Sequence, residues 1–179
     1  MTPDFSADHF ALFGLAAAFR MDDAALDRAW RELQAQVHPD RYAHAGEAEK
    51  RLSMQWATHV NEAYRTLKEP LRRADYLLQK RGIHALGERQ TSLPADFLMQ
   101  QMEWREALQE AQQARDANAI DQLRRTLKRE VAGLTDLLAR QLDEEEIWNA
   151  AADTVRKLRF VQKLTEDVNL ALAGLEEDD

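Results

Sequence analysis

Hydrophobic residues along this chain recur with the 3.6-residue period of a helix, and no stretch shows the two-residue alternation of a half-buried strand. Leu26, Trp30, Leu33 and Val37 recur every three or four residues and so line one helical face. Asp22 or Asp23 can cap the start of that helix. Pro39 ends it, because the residue before a proline is pushed out of the α region. Leu52, Trp56, Val60, Ala63 or Tyr64, and Leu67 mark a second long amphipathic helix. Pro70 suits the first turn of a shorter helix carrying Ala74, Leu77 and Leu78, with Gly82 near its C-terminal end. Ahead of all these, DHFALFGL predicts a short helix ending at Gly14.

Gly82, Gly87 and Pro94 bracket GIHALGERQTSLP, which reads as a linker. The expected division is a first domain over 1–81, a linker over 82–93, a second domain over 94–175 and an acidic tail over 176–179. The second domain is helical throughout. Phe97, Trp104, Leu108 and Ala111 share one face of a helix beginning near Pro94, at about 100° per residue. Ile120, Leu123, Leu127, Val131, Leu134 and Leu138 form a long second stripe. Asp143 followed by Glu146 resembles a capping box and predicts the start of the last helix. Ile147, Ala151, Val155, Leu158, Val168, Leu172 and Leu175 continue that helix's expected buried face, although no Gly or Pro marks the break before it. Three long helices in this order predict an antiparallel bundle.

Some apolar residues fall off these stripes. Leu98, Met99 and Met102 point roughly 100° to 200° away from the Phe97 face. Phe160 lies opposite the stripe of Ile147, Ala151 and Leu158, among Arg156, Lys157, Arg159 and Lys163. Packing requires none of them, so Leu98, Met102 and Phe160 are expected to be exposed. Methionine in an exposed cluster suits adaptable partner binding, and an aromatic rimmed by charge suits a binding hot spot. The plainer alternatives are a wide buried face, or apolar residues scattered over an ordinary surface.

Composition narrows the classes. The chain has 179 residues, 45% hydrophobic and 31% charged, enough for one large or two small globular domains. No apolar run approaches the roughly 18 to 20 residues that span a bilayer. The opening MTPDFSADHFALFGL lacks the basic flank of a secretory signal, so a cytoplasmic protein is expected, with no membrane partner. A net charge of −8 weighs against nucleic acid as a partner. With no Cys at all, the chain has no disulfide, no thiolate nucleophile and no thiolate-held zinc or iron–sulfur cluster.

The candidate chemistry sits between the first two long helices, at His38-Pro39-Asp40. A given ordered tripeptide arises by chance in a chain of this length with a probability of about 1% at average residue usage. Its place at a helix–loop–helix tip favours recognition. VHPDR, followed by a helix carrying NEAYRTL (Asn61 to Leu67), resembles a J domain. That resemblance implies that His38, Pro39 and Asp40 trigger ATP hydrolysis by a chaperone partner. It gives Arg31, Arg41 and Arg28 as basic contacts, while Asp27 and Glu32 interrupt the basic run. The alternative from the residues alone is a small metal-dependent hydrolase, with His38, Asp40 and His44 as ligands or His38 as general base. No H-E-x-x-H or comparable spacing supports it.

The rest of the chain has neither a Gly/Phe-rich segment nor a Cys-rich domain of the general DnaJ type. EPLRRADYLLQKRG, FLMQQMEWREAL and WNAAADTVRKLRF are instead similar to HscB-type J-domain co-chaperones of iron–sulfur cluster assembly. The resemblance runs from Phe10 to about Leu164. It implies an all-α protein, an N-terminal J domain and a C-terminal three-helix bundle in an L shape. It also implies that Leu98, Met99, Met102, Glu103, Glu106, Arg159 and Phe160 bind an iron–sulfur scaffold of the IscU type. Met102 stands where Leu is common in that family. The expected chaperone is a DnaK-like ATPase of the HscA type, to which ATP and Mg²⁺ belong. The chain itself is expected to be a monomer without cofactor or catalysis; a J protein with another client is the nearest alternative.

Overall fold

The computed structural model describes residues 7–42, 44–87 and 93–177. Residues 88–92 of the expected linker, and Asp178 and Asp179 of the expected tail, lie outside the described residues. Every regular element among the described residues is a helix. The chain forms two compact units, Met1–Lys80 and Arg81–Asp179.

The first unit is built on a helical hairpin. A short α1 (His9–Leu12) ends in a turn in which Gly14 takes a φ of 65°. The Leu15 amide donates back to the Phe10 carbonyl at 2.9 Å across it. Helix α2 (Asp23–Val37) is capped by Asp22, whose carboxylate accepts from the Ala24 and Ala25 amides. A 3₁₀ turn, Pro39–Tyr42, leads to α3 (Glu47–Lys68), and α4 (Pro70–Gln79) starts on its proline as expected. Leu26, Val37, Val60, Ala63, Leu67, Ala74 and Leu78 are buried together with Phe10.

Polar contacts set the register of α2 against α3. Asn61 accepts from the Trp30 indole at 3.1 Å and from the Gln34 amide. The Trp30 ring stacks on Tyr64 with centroids 4.7 Å apart. Asp27 accepts from the Tyr64 hydroxyl at 2.9 Å and from the Lys68 ammonium at 2.7 Å. Partners on α3 thus step backwards as α2 advances, so the two helices run antiparallel. Leu52 departs from the expected stripe: it is exposed, and Ser53 is buried in its place. The physical reason is helical phase: the buried face steps back from Leu67 through Ala63 and Val60 to Ser53, at spacings of four, three and seven residues, which leaves Leu52 about 100° off it.

The second unit comprises α5 (Ala95–Gln113), α6 (Ala117–Asp143) and α7 (Trp148–Glu177). Phe97, Trp104, Leu108 and Ala111 are all buried, so the phase expected for α5 is correct. Ile120, Leu127 and Leu138 meet a core completed by Ala151, Val155, Leu158, Val161 and Val168. The expected capping box is not there. Asp143 is the last residue of α6 rather than the start of α7. Buried Ala139 and Leu142 extend the α6 stripe past Leu138, so the helix continues until the backbone itself turns. Glu146 makes that turn with a φ of 53°, while the Glu145 amide donates to the Arg140 carbonyl at 2.9 Å. Ile147 lies in this turn and is exposed instead of packed. Arg115 uses the same device between α5 and α6, with a φ of 52°. At the far end α7 continues through Glu177, so the expected tail begins as helix, and Leu172 and Leu175 are only half-buried.

The Lys68 ammonium, and after it the Tyr64 hydroxyl, hold the Asp27 carboxyl below the usual carboxylate range. A carboxyl whose folded pKa is depressed contributes stability above its unfolded value, and loses it as pH falls through the folded one. Asp27→Asn should therefore lower the melting temperature at neutral pH. Thermal melts across the acid range should show the gap between variant and native protein closing as the native Asp27 becomes protonated and loses its charge.

Candidate functional site

The hairpin tip is shaped by the proline. His38 leaves the helix with ψ 130°, as a residue before proline must. Pro39 has no amide proton, so the last carbonyls of α2 need other donors. Arg41 supplies one, its guanidinium donating to the Ala35 carbonyl at 3.1 Å, and the Tyr42 hydroxyl donates to that of Gln36 at 3.4 Å. The Arg41 amide donates to the His38 carbonyl at 3.0 Å, closing the 3₁₀ turn.

Within this frame His38 and Asp40 are presented outward, with side chains 53% and 91% exposed. The Asp40 amide donates to His38 Nδ1 at 3.3 Å, and the Asp40 carboxylate lies 3.5 Å from the same nitrogen. Arg28, Arg31 and Arg41 are exposed. Arg28 and Arg31 fall within about 60° of each other on α2. Asp27 bonds to Tyr64 and Lys68 across the hairpin while still feeling the charge of Arg31. The Asp22 carboxylate lies 3.7 Å from the Arg28 guanidinium, so acidic groups flank the arginines together with exposed Glu32. Among the described residues no three His, Cys, Asp or Glu side chains gather as metal ligands would.

On the second unit, Leu98, Met99 and Met102 are 42%, 65% and 62% exposed, and Glu103 and Glu106 are exposed beside them. The Gln100 side-chain amide donates to Glu103 at 2.9 Å. Arg159 is exposed as well. Phe160 differs from expectation, being half-buried rather than free. Its ring meets Phe97 edge-on at 6.0 Å, and the Arg105 guanidinium lies over it at 5.2 Å. Helix α5 covers the flank of α7 that looked open in a single-helix projection. Phe160 nevertheless stands at the edge of α5 nearest Leu98, because Arg105 is seven residues on and about 20° from it. Arg105 was not singled out in the sequence; its position on the border of the stripe was the available sign.

The geometry thus contains two exposed features, a His-Pro-Asp tip and an apolar row on a three-helix bundle. Residues 93–169 match the family model described as the HSCB C-terminal oligomerisation domain. Over 176 residues the chain is 48% identical to the co-chaperone protein HscB homolog of Aromatoleum aromaticum, covering 98% of this chain and 99% of that one. The chain belongs to the HscB family of co-chaperones. Solved HscB structures agree in fold. The chaperone HscB from Vibrio cholerae is 37% identical with a TM-score of 0.83, covering 94% of this chain and 99% of that one. The human co-chaperone protein HscB is 31% identical with a TM-score of 0.87, covering 94% and 83%. In HscB terms the first unit is the J domain and the second is the C-terminal helical domain.

Stability should separate the two kinds of apolar residue in the row. Leu98→Ala and Met102→Ala should each change unfolding free energy by no more than about 0.5 kcal/mol, as surface positions do. Phe160→Ala should cost more, roughly half of the ~3–5 kcal/mol of a fully buried Phe. Urea denaturation of the three variants checks the order.

Proposed function

We propose that this HscB-family protein binds an IscU-type iron–sulfur scaffold, hands it to a DnaK-like chaperone of the HscA type, and stimulates that chaperone's ATPase. The observation that carries the proposal is the exposure of Leu98, Met99 and Met102 on α5, off the packing face. Solvent-exposed apolar side chains in one row cost solubility, and a partner that covers them explains their presence. Glu103 and Glu106 are exposed on the same helix, and Phe160, with Arg105 over its ring, borders the row; we assign Arg159, exposed on α7, to the same charged rim. This is the arrangement of a buried anchor with a charged surround.

The His38-Pro39-Asp40 tip supports the other half of the reading. Its backbone is held by Arg41 and Tyr42, so a docking chaperone meets a preformed loop and little order need be imposed. Arg28, Arg31 and Arg41 supply the positive charge that steers such docking. A single copy carries both surfaces, so the protein works as a monomer that raises the local concentration of scaffold at the chaperone. Turnover, ATP and Mg²⁺ belong to the chaperone, and the co-chaperone catalyses nothing and holds no cofactor. Its compartment is the cytoplasm, where the chaperone's ATP is available.

Two measurements test this. His38→Gln should abolish stimulation of the chaperone's steady-state ATPase while leaving scaffold affinity unchanged; full stimulation by the variant overturns the assignment of the tip. Leu98→Ala with Met102→Ala should weaken scaffold binding by about 2 kcal/mol or more per anchor in a calorimetric titration. Unchanged affinity removes the row as the client site. A stoichiometric metal in the purified protein would instead favour hydrolytic chemistry at His38.

A further inference from the structure

Among the described residues, the α5 row carries the most exposed methionines. The chain contains no Cys and five Met, so thioethers take the place that thiols hold in most redox-sensitive proteins. Of the described methionines, Met21 is half-buried and Met54 is 52% exposed on α3, in the other unit. Met99 and Met102, at 65% and 62%, are the most exposed, and they stand three residues apart on one side of α5. Accessibility governs which methionines react, since the oxidant must reach sulfur.

We propose that Met99 and Met102 form a reversible modification site, at which a peroxide or hypochlorous acid converts the thioethers to sulfoxides and releases the client. The proposal rests on the reading of the α5 row as the scaffold-binding surface. With hydrogen peroxide the step is balanced: sulfur attacks one peroxide oxygen, the O–O bond breaks, an S=O bond forms and water leaves. Sulfur loses the two electrons that the peroxide gains.

The consequence follows from polarity. A sulfoxide oxygen is a strong acceptor, and burying it against an apolar partner without a donor is unfavourable. Its neighbours on the outer face of α5, Glu103 and Glu106, are acceptors when ionised and give it no proton. The Gln100 amide gives one of its two N–H bonds to Glu103, and the Arg105 guanidinium is held with its carbon over the Phe160 ring. The fold is spared, because neither methionine belongs to the Phe97, Trp104, Leu108 and Ala111 face. Oxidation therefore acts on client binding without unfolding the bundle, and methionine sulfoxide reductases restore the thioethers.

The test uses the full chain, hydrogen peroxide or hypochlorite, and the IscU-type scaffold as probe. Peptide mass spectrometry should find Met99 and Met102 oxidised before Met21. Scaffold affinity should then fall about tenfold or more, with an unchanged melting temperature. Treatment with both sulfoxide reductases should restore it. Met99→Leu with Met102→Leu, compared with its own untreated affinity, should show no loss on oxidation, whereas Met54→Leu should give no protection. Oxidation at both sites with unchanged affinity overturns the proposal, as does an equal loss in the double variant. If the untreated protein binds no scaffold, the client reading falls and the release step with it. The peptide map then still reports whether these two sulfurs are the reactive ones.

Discussion

Pro39 removes one amide proton from the end of α2, and the arrangement at the hairpin tip is a response to that loss. With no donor at this position the helix cannot continue, His38 swings to an extended ψ, and the terminal carbonyls of α2 are left to be satisfied from outside the helix. Arg41 and Tyr42 reach back to Ala35 and Gln36, and in doing so they fix the 3₁₀ turn that presents His38 and Asp40. The exposed histidine and carboxylate are thus held by backbone geometry rather than by packing, which leaves both side chains available. Arg41 has two roles here, as a structural donor and as part of the positive face. Its removal disturbs the loop as well as the charge.

Further down the hairpin, the contacts that hold α2 on α3 are polar and specific. An aspartate, an asparagine, a tyrosine and a lysine set the register that apolar packing alone leaves loose. In the second unit the opposite principle rules. The α5 face consists of four buried side chains spaced seven, four and three residues apart, which is narrow for a helix of 19 residues. A narrow face leaves most of the helix surface free of packing constraints. That freedom is what allows Leu98, Met99 and Met102 to be apolar without belonging to the core, and it lets them change chemically without consequence for the fold.

The helices and their phases were legible because apolar periodicity depends only on neighbours three and four residues away. The α5 face and the off-stripe row were found in this way, as was the stop at Pro39. What escaped depended on partners distant in the chain. Leu52 fits a stripe with Trp56 and Val60, yet the buried face passes through Ser53 instead. Asp27 reads only as an acidic break in a basic run, and nothing in its own helix shows that it also ties α2 to Tyr64 and Lys68. Phe160 looks free until α5 is laid over it. The break after Asp143 was misplaced because the turns at Arg115 and Glu146 use positive φ at residues with a side chain. Such turns cost about 1 kcal/mol or more and carry no compositional signal. The roles of individual residues at the tip and in the row came from family resemblance, since exposure alone names no partner.

Between the start of α1 and the end of α4, the Lys80 ammonium lies 2.6 Å from the Asp8 carboxylate, and His9 stacks on Tyr76 at 4.3 Å. The two ends of the helical part of the unit are therefore clasped together. Domains whose two ends lie close together are the ones that tolerate insertion and rearrangement, and a clasp between Asp8 and Lys80 gives this unit that form.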